Sequence, residues 1–524
     1  MIPAEKLKRY KEIRSIVKKY GFGIFLERRK FKRPLKIPLR IENYDSIPLR
    51  LRSMMEELGP AFIKMGQMLS RRPDIIPFKF IEEFEKLKDE AEPLDGKEIK
   101  EVIRKVSGKD LEDLFLYFEE KPIYSCLIYQ KHKAKLKNGK EVVVKVKRPE
   151  IEKTISTDIQ TLYDIARFIE ESLKQEIYQP LRIVEEFEKS IKREFDLRME
   201  LRNMEKFSRN FEDGDLYIPD VFKEFTNENI LVYGYFEGIK IDEIEKTGLS
   251  RKEIAEKLAD ITLKQIFTDG FFHCNPANII ILPDGKISYL DFGIAEEICE
   301  ERKRKIISLL DGFLETDPDK ILKNIEIKEE KDKDAIKREI SEIFYEDGRI
   351  GKIIEEIYER IRKFKVKIPA DFSIVAKTLI DLEKTGLIID PEFNLEKKIR
   401  PFIEESKISY LIDGFKRGIS NIYLFLKRAP RTFNTIFEYF KKGYSNFVFL
   451  DKRLENLTST INKSTNRISF ALVVSALLVS SSLIIISGKG PLIMGLPAFG
   501  IFTFLISVIL GICFIIGIIR GGKL

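Results

Sequence analysis

The chain has 524 residues, with 93 Lys and Arg against 85 Asp and Glu and a net charge of +8. That length exceeds one ordinary core and predicts several domains, while a small basic excess spread through mixed-sign sequence argues against a nucleic-acid footprint. Cys126, Cys274, Cys299 and Cys513 lie far apart with no CxxC pair, which argues against both a disulfide framework and a zinc site.

Residues 1–20 are charged throughout, so no secretory signal is expected. Leu7, Tyr10, Ile13, Ile16, Val17 and Tyr20 recur at three- and four-residue spacing, an amphipathic helix stopped by Gly21 and Gly23. Its apolar stripe packs on a domain or on a lipid surface. A second helix is expected to end near Ser70, followed by an Arg-Arg-Pro-Asp loop and a third helix from about Pro77; Lys64 and Gln67 fall one turn apart. Residues 121–149 alternate as strands about the Asn138-Gly139 turn, a hairpin with Lys145 in a Val-rich strand. Buried lysine needs a partner. In protein kinases the lysine of this strand pairs phosphates and a helix glutamate, although no GxGxxG loop precedes it here.

Residues 181–207 predict one long charged helix with Ile183, Phe187, Ile191, Phe195 and Leu197 on its apolar face. The run 230–239 reads as a strand and then a turn at Glu237-Gly238, and a helix from about 252 to 268 follows. Residues 270–293 read as a polar loop, His273-Cys274-Asn275-Pro276-Ala277-Asn278, then a hairpin about Pro283-Asp284-Gly285, then Asp291-Phe292-Gly293. Kinases place magnesium ligands in that layout. Beyond it the chain is helical and charged. Residues 423–440, rich in aromatic and basic side chains, suit an interfacial or lobe-packing helix. Runs 468–486 and 496–519 carry no charge and are long enough to cross a hydrocarbon layer of about 30 Å. Lys463, Arg467, Arg520 and Lys523 flank them and only Lys489 lies between. A two-helix transmembrane hairpin is therefore expected, with the soluble part cytoplasmic.

Lys64-Met65-Gly66-Gln67, with Leu69-Ser70 and Arg72-Pro73-Asp74 after it, is similar to the KxGQ signature of the UbiB family of atypical protein-kinase-like membrane proteins. Glu194-Phe195-Asp196, with Glu200 beyond it, resembles that family's ExD segment, and residues 367–395 resemble its C-terminal lobe. The resemblance implies an α+β, two-lobed kinase-like domain with a helical N-terminal extension over its cleft. Its parts would be a KxGQ extension over 1–120, an N-lobe over 121–236, a C-lobe over 237–400, juxtamembrane helices over 401–467 and two membrane helices over 468–519. It also implies ATP and Mg2+ as ligands: Lys145 on phosphates, Glu200 on Lys145, and Asp291 with Asn278 on the metal. Lys64 and Gln67 would face the cleft opposite Glu194 and Asp196 as regulatory or catalytic groups.

Two stretches depart from the family. Tyr124-Ser125-Cys126-Leu127 stands where the family has an alanine-rich turn, so no phosphate contacts are assigned there. The family loop HADPHPGN is two residues shorter here, and Asn275 holds the position of the catalytic Asp. Loss of a general base commonly costs about 100- to 10,000-fold in rate. Two readings therefore stand. One is a membrane-anchored ATP-binding protein with weak or specialised ATPase activity supporting quinone or isoprenoid lipid biosynthesis. The other is a pseudokinase, a nucleotide sensor or scaffold for lipid-modifying enzymes. The expected partners are a membrane, a quinone-like isoprenoid and lipid-biosynthesis enzymes.

Overall fold

A computed structural model describes residues 4–22, 46–173, 179–212, 214–246, 248–327, 329–344, 348–364, 366–410, 412, 471–486, 492–493 and 496–520. The chain divides into two compact units, Met1–Phe415 and Lys416–Leu524.

In the first unit, α1 (Ala4–Lys19), α2 (Ser46–Leu58), α3 (Pro60–Leu69) and α4 (Phe78–Phe84) form the extension. Gly66 is what lets α3 lie so close to the segment after α4, since a Cβ there would meet Leu87 Cδ1 at 2.3 Å and Met55 Sδ at 2.9 Å. Next comes α5 (Gly96–Ser107), which starts in a capping box of Asp95 and Glu98 and ends on Gly108 at φ 71°. A short α6 (Leu111–Leu114) leads into the sheet.

The sheet is antiparallel, with strands β1 (Phe115–Phe118), β3 (Tyr129–Leu136), β4 (Glu141–Lys147) and β5 (Ile230–Gly234) in that order and β2 (Tyr124–Ser125) paired to β3. Its strand alternation sorts the side chains. Ala134, Leu136, Val142, Val144, Val146, Ile230 and Val232 cluster with Ile99 and Ile103 of α5, each buried isoleucine contributing about 2 kcal/mol. The opposite face carries Tyr129, Lys131, Lys145 and Leu231, with Lys131 directly across from Lys145 and Lys145 from Leu231. One sheet thus has an apolar back and a basic front.

Helix α7 (Ile151–Leu173) packs on α8 (Pro180–Phe195), and α9 (Leu197–Asn210) follows. The single long helix expected over 181–207 is two helices. Asp196 takes an extended backbone, φ −97° and ψ 97°, and its side chain caps α9 by accepting from Arg198 N–H.

The larger lobe holds α10 (Arg251–Leu263), continued by a π-turn over Lys264–Asp269, then β6 (Phe271–His273), β7 (Ile279–Ile281), β8 (Ile287–Tyr289) and β9 (Ala295–Glu297). β7 pairs with β8 and β6 with β9. After β5 the chain joins this lobe at Ile239, which exchanges both backbone hydrogen bonds with Ile281. α11 (Glu300–Leu314), α12 (Pro318–Lys323), α13 (Lys333–Phe344), α14 (Ile350–Ile361), α15 (Ala370–Ile389) and α16 (395–410) complete it around an isoleucine- and leucine-rich core.

The second unit contains α17 (471–486), a two-stranded turn of β10 (Leu492–Ile493) and β11 (Leu496–Pro497), and α18 (Ala498–Arg520). Gly500 permits close packing of the two helices, because a Cβ there would meet Ile485 Cγ1 at 2.6 Å. Leu472, Val479, Phe499 and Phe502 are exposed. The expected transmembrane hairpin, and with it the multi-pass membrane localisation, is not upheld. Among the described residues no helix is long and apolar enough to cross a membrane. α17 spans about 24 Å against a hydrocarbon layer of about 30 Å, and the side chains of α18 are described only as far as Ile512. The aromatic, basic stretch 423–440 lies outside the described residues.

Candidate functional site

Lys145 stands at the centre of the front face of the sheet, 1 % exposed. Its Nζ lies 2.6 Å from Glu200 Oε2 and 2.7 Å from Asp291 Oδ2. Three elements meet there: β4 brings the lysine, α9 the glutamate, and the chain after β8 the aspartate. Burial by itself would lower the lysine, but Asp291 and Glu200 outweigh it and hold the ammonium above its ordinary value. Asp291 is the better ionised of the two acids. Burial works against its charge, yet Lys145 and Lys131 win and hold it below the usual carboxylate range. Glu200 is held above that range by burial and by the charge of Asp291. The Lys145 partner on a helix expected from sequence is thus in place.

The Asp-Phe-Gly turn is tightly fixed. Gly293 N–H donates to Asp291 Oδ1 at 2.7 Å, and a Cβ on Gly293 would meet that oxygen at 2.9 Å. Phe292 packs against Phe207 and Tyr289, and its carbonyl accepts from Asn203 Nδ2 at 2.9 Å. His273, wholly buried, lies 2.9 Å from the Asp291 carbonyl through Nε2 and stacks on Tyr289 with centroids 4.0 Å apart. Burial lowers its pKa to about 4, so the ring is neutral at pH 7. A carbonyl stands beside each ring nitrogen, Asp291 O at 2.9 Å from Nε2 and Asn275 O at 3.0 Å from Nδ1, with Asn275 N–H 3.2 Å from Nδ1, so the single proton satisfies one carbonyl at a time. Gln265, in the π-turn, bonds both His273 N–H and the Tyr289 hydroxyl, an interior use of the kind such turns often serve.

The loop residues take the following places. The Asn275 side-chain oxygen accepts from Ala277 N–H at 3.2 Å, folding the loop into an Asx turn. Asn278 N–H donates to Asn275 O and its carbonyl accepts from Leu290 N–H, both at 3.1 Å, so its backbone runs beside the segment that leads from β8 to Asp291.

The extension forms a second cluster. Lys64 Nζ lies 2.5 Å from Glu194 Oε1 and 2.8 Å from Asp89 Oδ2. Burial opposes its charge, but Glu194 and Asp89 raise it above its ordinary value. Asp89 is itself raised, first by burial, with Asp291 among the charges that add to the shift. Gln67 Nε2 donates to the Leu87 carbonyl at 3.3 Å. The expectation that Asp196 faces Lys64 and Gln67 is corrected: the helix break turns its carboxylate onto Arg198, at 2.8 Å from Nε and 2.9 Å from Nη2. Glu194 alone of that pair meets the extension.

Sequence reasoning missed three residues. Tyr129 donates its hydroxyl to Asp291 Oδ2, and Lys145 Nζ sits 3.5 Å from the centre of its ring. Burial raises the phenol well above its usual value, followed by the charge of Asp291, so it remains a donor. Lys131 Nζ donates to Leu290 O at 2.6 Å and lies 4.0 Å from Asp291 Oδ2. Asp89 is the third. The loop between β3 and β4 holds three residues, 137–139, which sets Lys131 opposite Lys145; counting outward from a two-residue Asn138-Gly139 turn sets His132 there instead, so the turn signal does not find them. A cavity of about 610 Å³ also opens in the larger lobe, lined by Phe211, Asp215, Lys257, Asp260 and Gly285 among others. It lies apart from both clusters.

An antiparallel sheet whose central lysine pairs with a helix glutamate, joined through a hinge to a helical lobe bearing a loop, a hairpin and Asp-Phe-Gly, is a protein-kinase-like fold. Residues 86–325 match the model of the ABC1 atypical kinase-like domain, residues 334–394 the UbiB helical domain and residues 452–520 the ABC1/UbiB kinase-like C-terminal domain. The chain is 30 % identical over 543 residues to a protein of Vibrio cholerae serotype O1 (strain M66-2) named probable protein kinase UbiB, covering 97 % of this chain and 99 % of that one. It is 28 % identical over 540 residues to an uncharacterized protein in the hydrogenase 1 5′ region of Clostridium pasteurianum, covering 98 % of this chain and 99 % of the other. Among solved structures, the complex of Rv3197 with erythromycin from Mycobacterium tuberculosis is similar at 22 % identity and a TM-score of 0.43, over 66 % of this chain and 92 % of that one. The chain belongs to the ABC1/UbiB family of atypical kinase-like proteins.

Proposed function

We propose that the protein binds ATP in the cleft between its lobes and couples slow or specialised ATP hydrolysis to quinone or other isoprenoid lipid biosynthesis or handling. The observation that carries the nucleotide part is the Lys145–Glu200 ion pair at 2.6 Å on the front of the sheet. A buried ammonium oriented by a carboxylate is a ready donor to phosphate oxygens. Lys145 would hold the phosphates and Glu200 would hold Lys145. The lipid part rests on family membership alone.

Kinase-like domains of this family bind ATP with Mg2+ in general, and the side chains here fit the two ligands unequally. Phosphates fit Lys145. Asp291 Oδ2 is taken by Lys145 and Tyr129, whereas Oδ1 accepts one bond, from Gly293 N–H, so a magnesium ion would meet the remaining lone pair of Oδ1 with Lys145 and Lys131 close by. A divalent ion 4 Å from one ammonium is repelled by about 8 kcal/mol at an effective dielectric of 20, and two ammonium groups face this carboxylate.

The second reading, a pseudokinase serving as nucleotide sensor or scaffold for lipid-modifying enzymes, is favoured by Asn275, which has no carboxylate to accept a proton. Equilibrium ATP binding and ATP turnover by the full-length protein, with and without a quinone-like isoprenoid, separate the two. Binding lost in both Lys145→Ala and Glu200→Ala with measurable turnover supports the first. Binding without turnover supports the second. Unchanged binding in both variants removes the nucleotide site altogether.

A further inference from the structure

The hairpin that joins β2 to β3 stands where a protein kinase carries the loop that covers the phosphates. A loop that cradles phosphates leaves its backbone N–H groups free to point at the anion. Here they are taken up inside the protein. Cys126 N–H donates to the Tyr129 carbonyl and Leu127 N–H to the Asp89 carbonyl, both at 2.9 Å, and Tyr129 N–H donates to Cys126 Sγ at 3.4 Å. The space beneath the hairpin is filled as well. Lys145 Nζ lies 3.5 Å from the centre of the Tyr129 ring, whose hydroxyl donates to Asp291 Oδ2. The ring therefore spans the gap from the lysine of β4 to the Asp-Phe-Gly carboxylate. The ammonium is further occupied by Glu200 at 2.6 Å and Asp291 at 2.7 Å. With Lys145 and Tyr129 both buried, a phosphate oxygen reaches the ammonium only by displacing what now surrounds it. Tyr129 also belongs to the buried apolar cluster of Phe62 and Met65 on α3, which holds it in place.

We infer that Tyr129 sets the affinity of the cleft for phosphate groups: its ring and hydroxyl occupy the phosphate subsite, and a nucleotide is held once the side chain has turned away from Lys145 and Asp291. This rests on the nucleotide reading above. A hydroxyl bonded to a charged carboxylate and an ammonium over an aromatic ring both favour the closed arrangement. Nucleotide binding then draws on the fraction of molecules in which Tyr129 has withdrawn, and the apparent affinity falls by that fraction. A nucleoside carries no phosphate and is indifferent to the subsite.

The test is equilibrium binding of ATP and of adenosine to the full-length natural protein, Tyr129→Phe and Tyr129→Ala. Tyr129→Phe keeps the ring packed and loses only the bond to Asp291, and is expected to bind ATP about threefold more tightly than the natural protein. Tyr129→Ala empties the subsite and is expected to bind ATP at least about tenfold more tightly. Adenosine is expected to behave alike with all three proteins, within about twofold. Should Tyr129→Ala not fold, Tyr129→Phe decides by itself. ATP binding no tighter in the folded variants than in the natural protein overturns this inference and leaves the nucleotide reading standing. A gain shared equally by adenosine also overturns it, because the substitution has then loosened the cleft as a whole. No binding of either ligand by any of the proteins overturns both readings.

Discussion

The Lys64 ammonium on α3 is bonded to the Glu194 carboxylate near the end of α8, 130 positions away in sequence, at 2.5 Å. It is also bonded to Asp89, whose second oxygen is buried without a partner among the described residues. One lysine therefore holds two acids together. Lys64→Ala leaves Asp89 and Glu194 facing each other with no cation between them. Breaking a fully buried pair costs about 3–5 kcal/mol, and Glu194 is 30 % exposed, so a loss of about 2 kcal/mol is expected after screening. Adding Glu194→Gln should restore part of it by removing one of the stranded charges. Urea midpoints of the two variants check this, and a double variant no more stable than Lys64→Ala counts against it.

Gly66 in the same signature is a packing residue. Alanine gains about 1 kcal/mol in helix propensity over glycine, but the added methyl would enter the Leu87 and Met55 side chains at 2.3 and 2.9 Å. Overpacking of this kind costs about 1–3 kcal/mol, so Gly66→Ala is expected to destabilise on balance. Leu87→Ala in the same chain should relieve the clash, making the pair less than additive. Additive denaturation midpoints would show that the two groups do not meet.

The kinase-like architecture was legible because its signals are local. The Asn138-Gly139 turn marks one hairpin, Pro283-Asp284-Gly285 another, and Gly21 closes the first helix. That Lys145 needs a partner was legible because buried charges do, whereas the choice of Glu200 and the role of Asp291 came from the family resemblance. Asp196 was misread for the opposite reason: a helix-breaking cap and an inward-facing acid look alike in sequence, and the turn of the backbone at that residue decides between them. Tyr129 and Lys131 went unnoticed because a lysine-rich strand reads as a solvated edge, and because the loop holds three residues where an Asn-Gly turn suggests two, which shifts every cross-strand pair by one.

His132 and His273 are the two histidines of the chain, and burial holds both below their ordinary value. Unfolded, each takes up a proton as the pH falls through about 6.5; folded, His273 resists until about 4. The unfolded state thus binds more protons in that window, and stability must fall as the pH falls through it. It is whole above pH 6.5. At about 1.4 kcal/mol per pH unit, His273 accounts for a loss of about 3 kcal/mol by the lower end. His273→Gln should flatten the dependence of stability on pH between 6.5 and 4, and His132→Gln should flatten it in the same direction. Burial also raises Glu200, Asp89 and Glu383, and a raised carboxylate adds stability as the pH falls, so the change on substitution, rather than the slope itself, isolates the histidines. A slope that survives both substitutions would place its origin elsewhere.

On the proposed nucleotide reading, Asn275 is the position to test for chemistry in the cleft. Its side-chain oxygen holds the Ala277 N–H, a bond that an aspartate keeps with its own carboxylate, so Asn275→Asp changes the proton-accepting power of the loop with little change in its shape. A positioned general base contributes about 100- to 10,000-fold. The loop is two residues shorter than the family pattern, which moves the acid relative to the phosphates, and a rise of at least about tenfold in ATP turnover is the expected outcome. Phosphate release by the full-length protein, with and without magnesium, measures it. The same substitution in Lys145→Ala should give no rise, because an acid cannot act on a nucleotide that is not held. An unchanged rate in Asn275→Asp, with ATP binding intact, would mean that residue 275 does not reach the reacting atoms. The missing carboxylate would then no longer explain slow turnover, and the pseudokinase reading would lose its specific support.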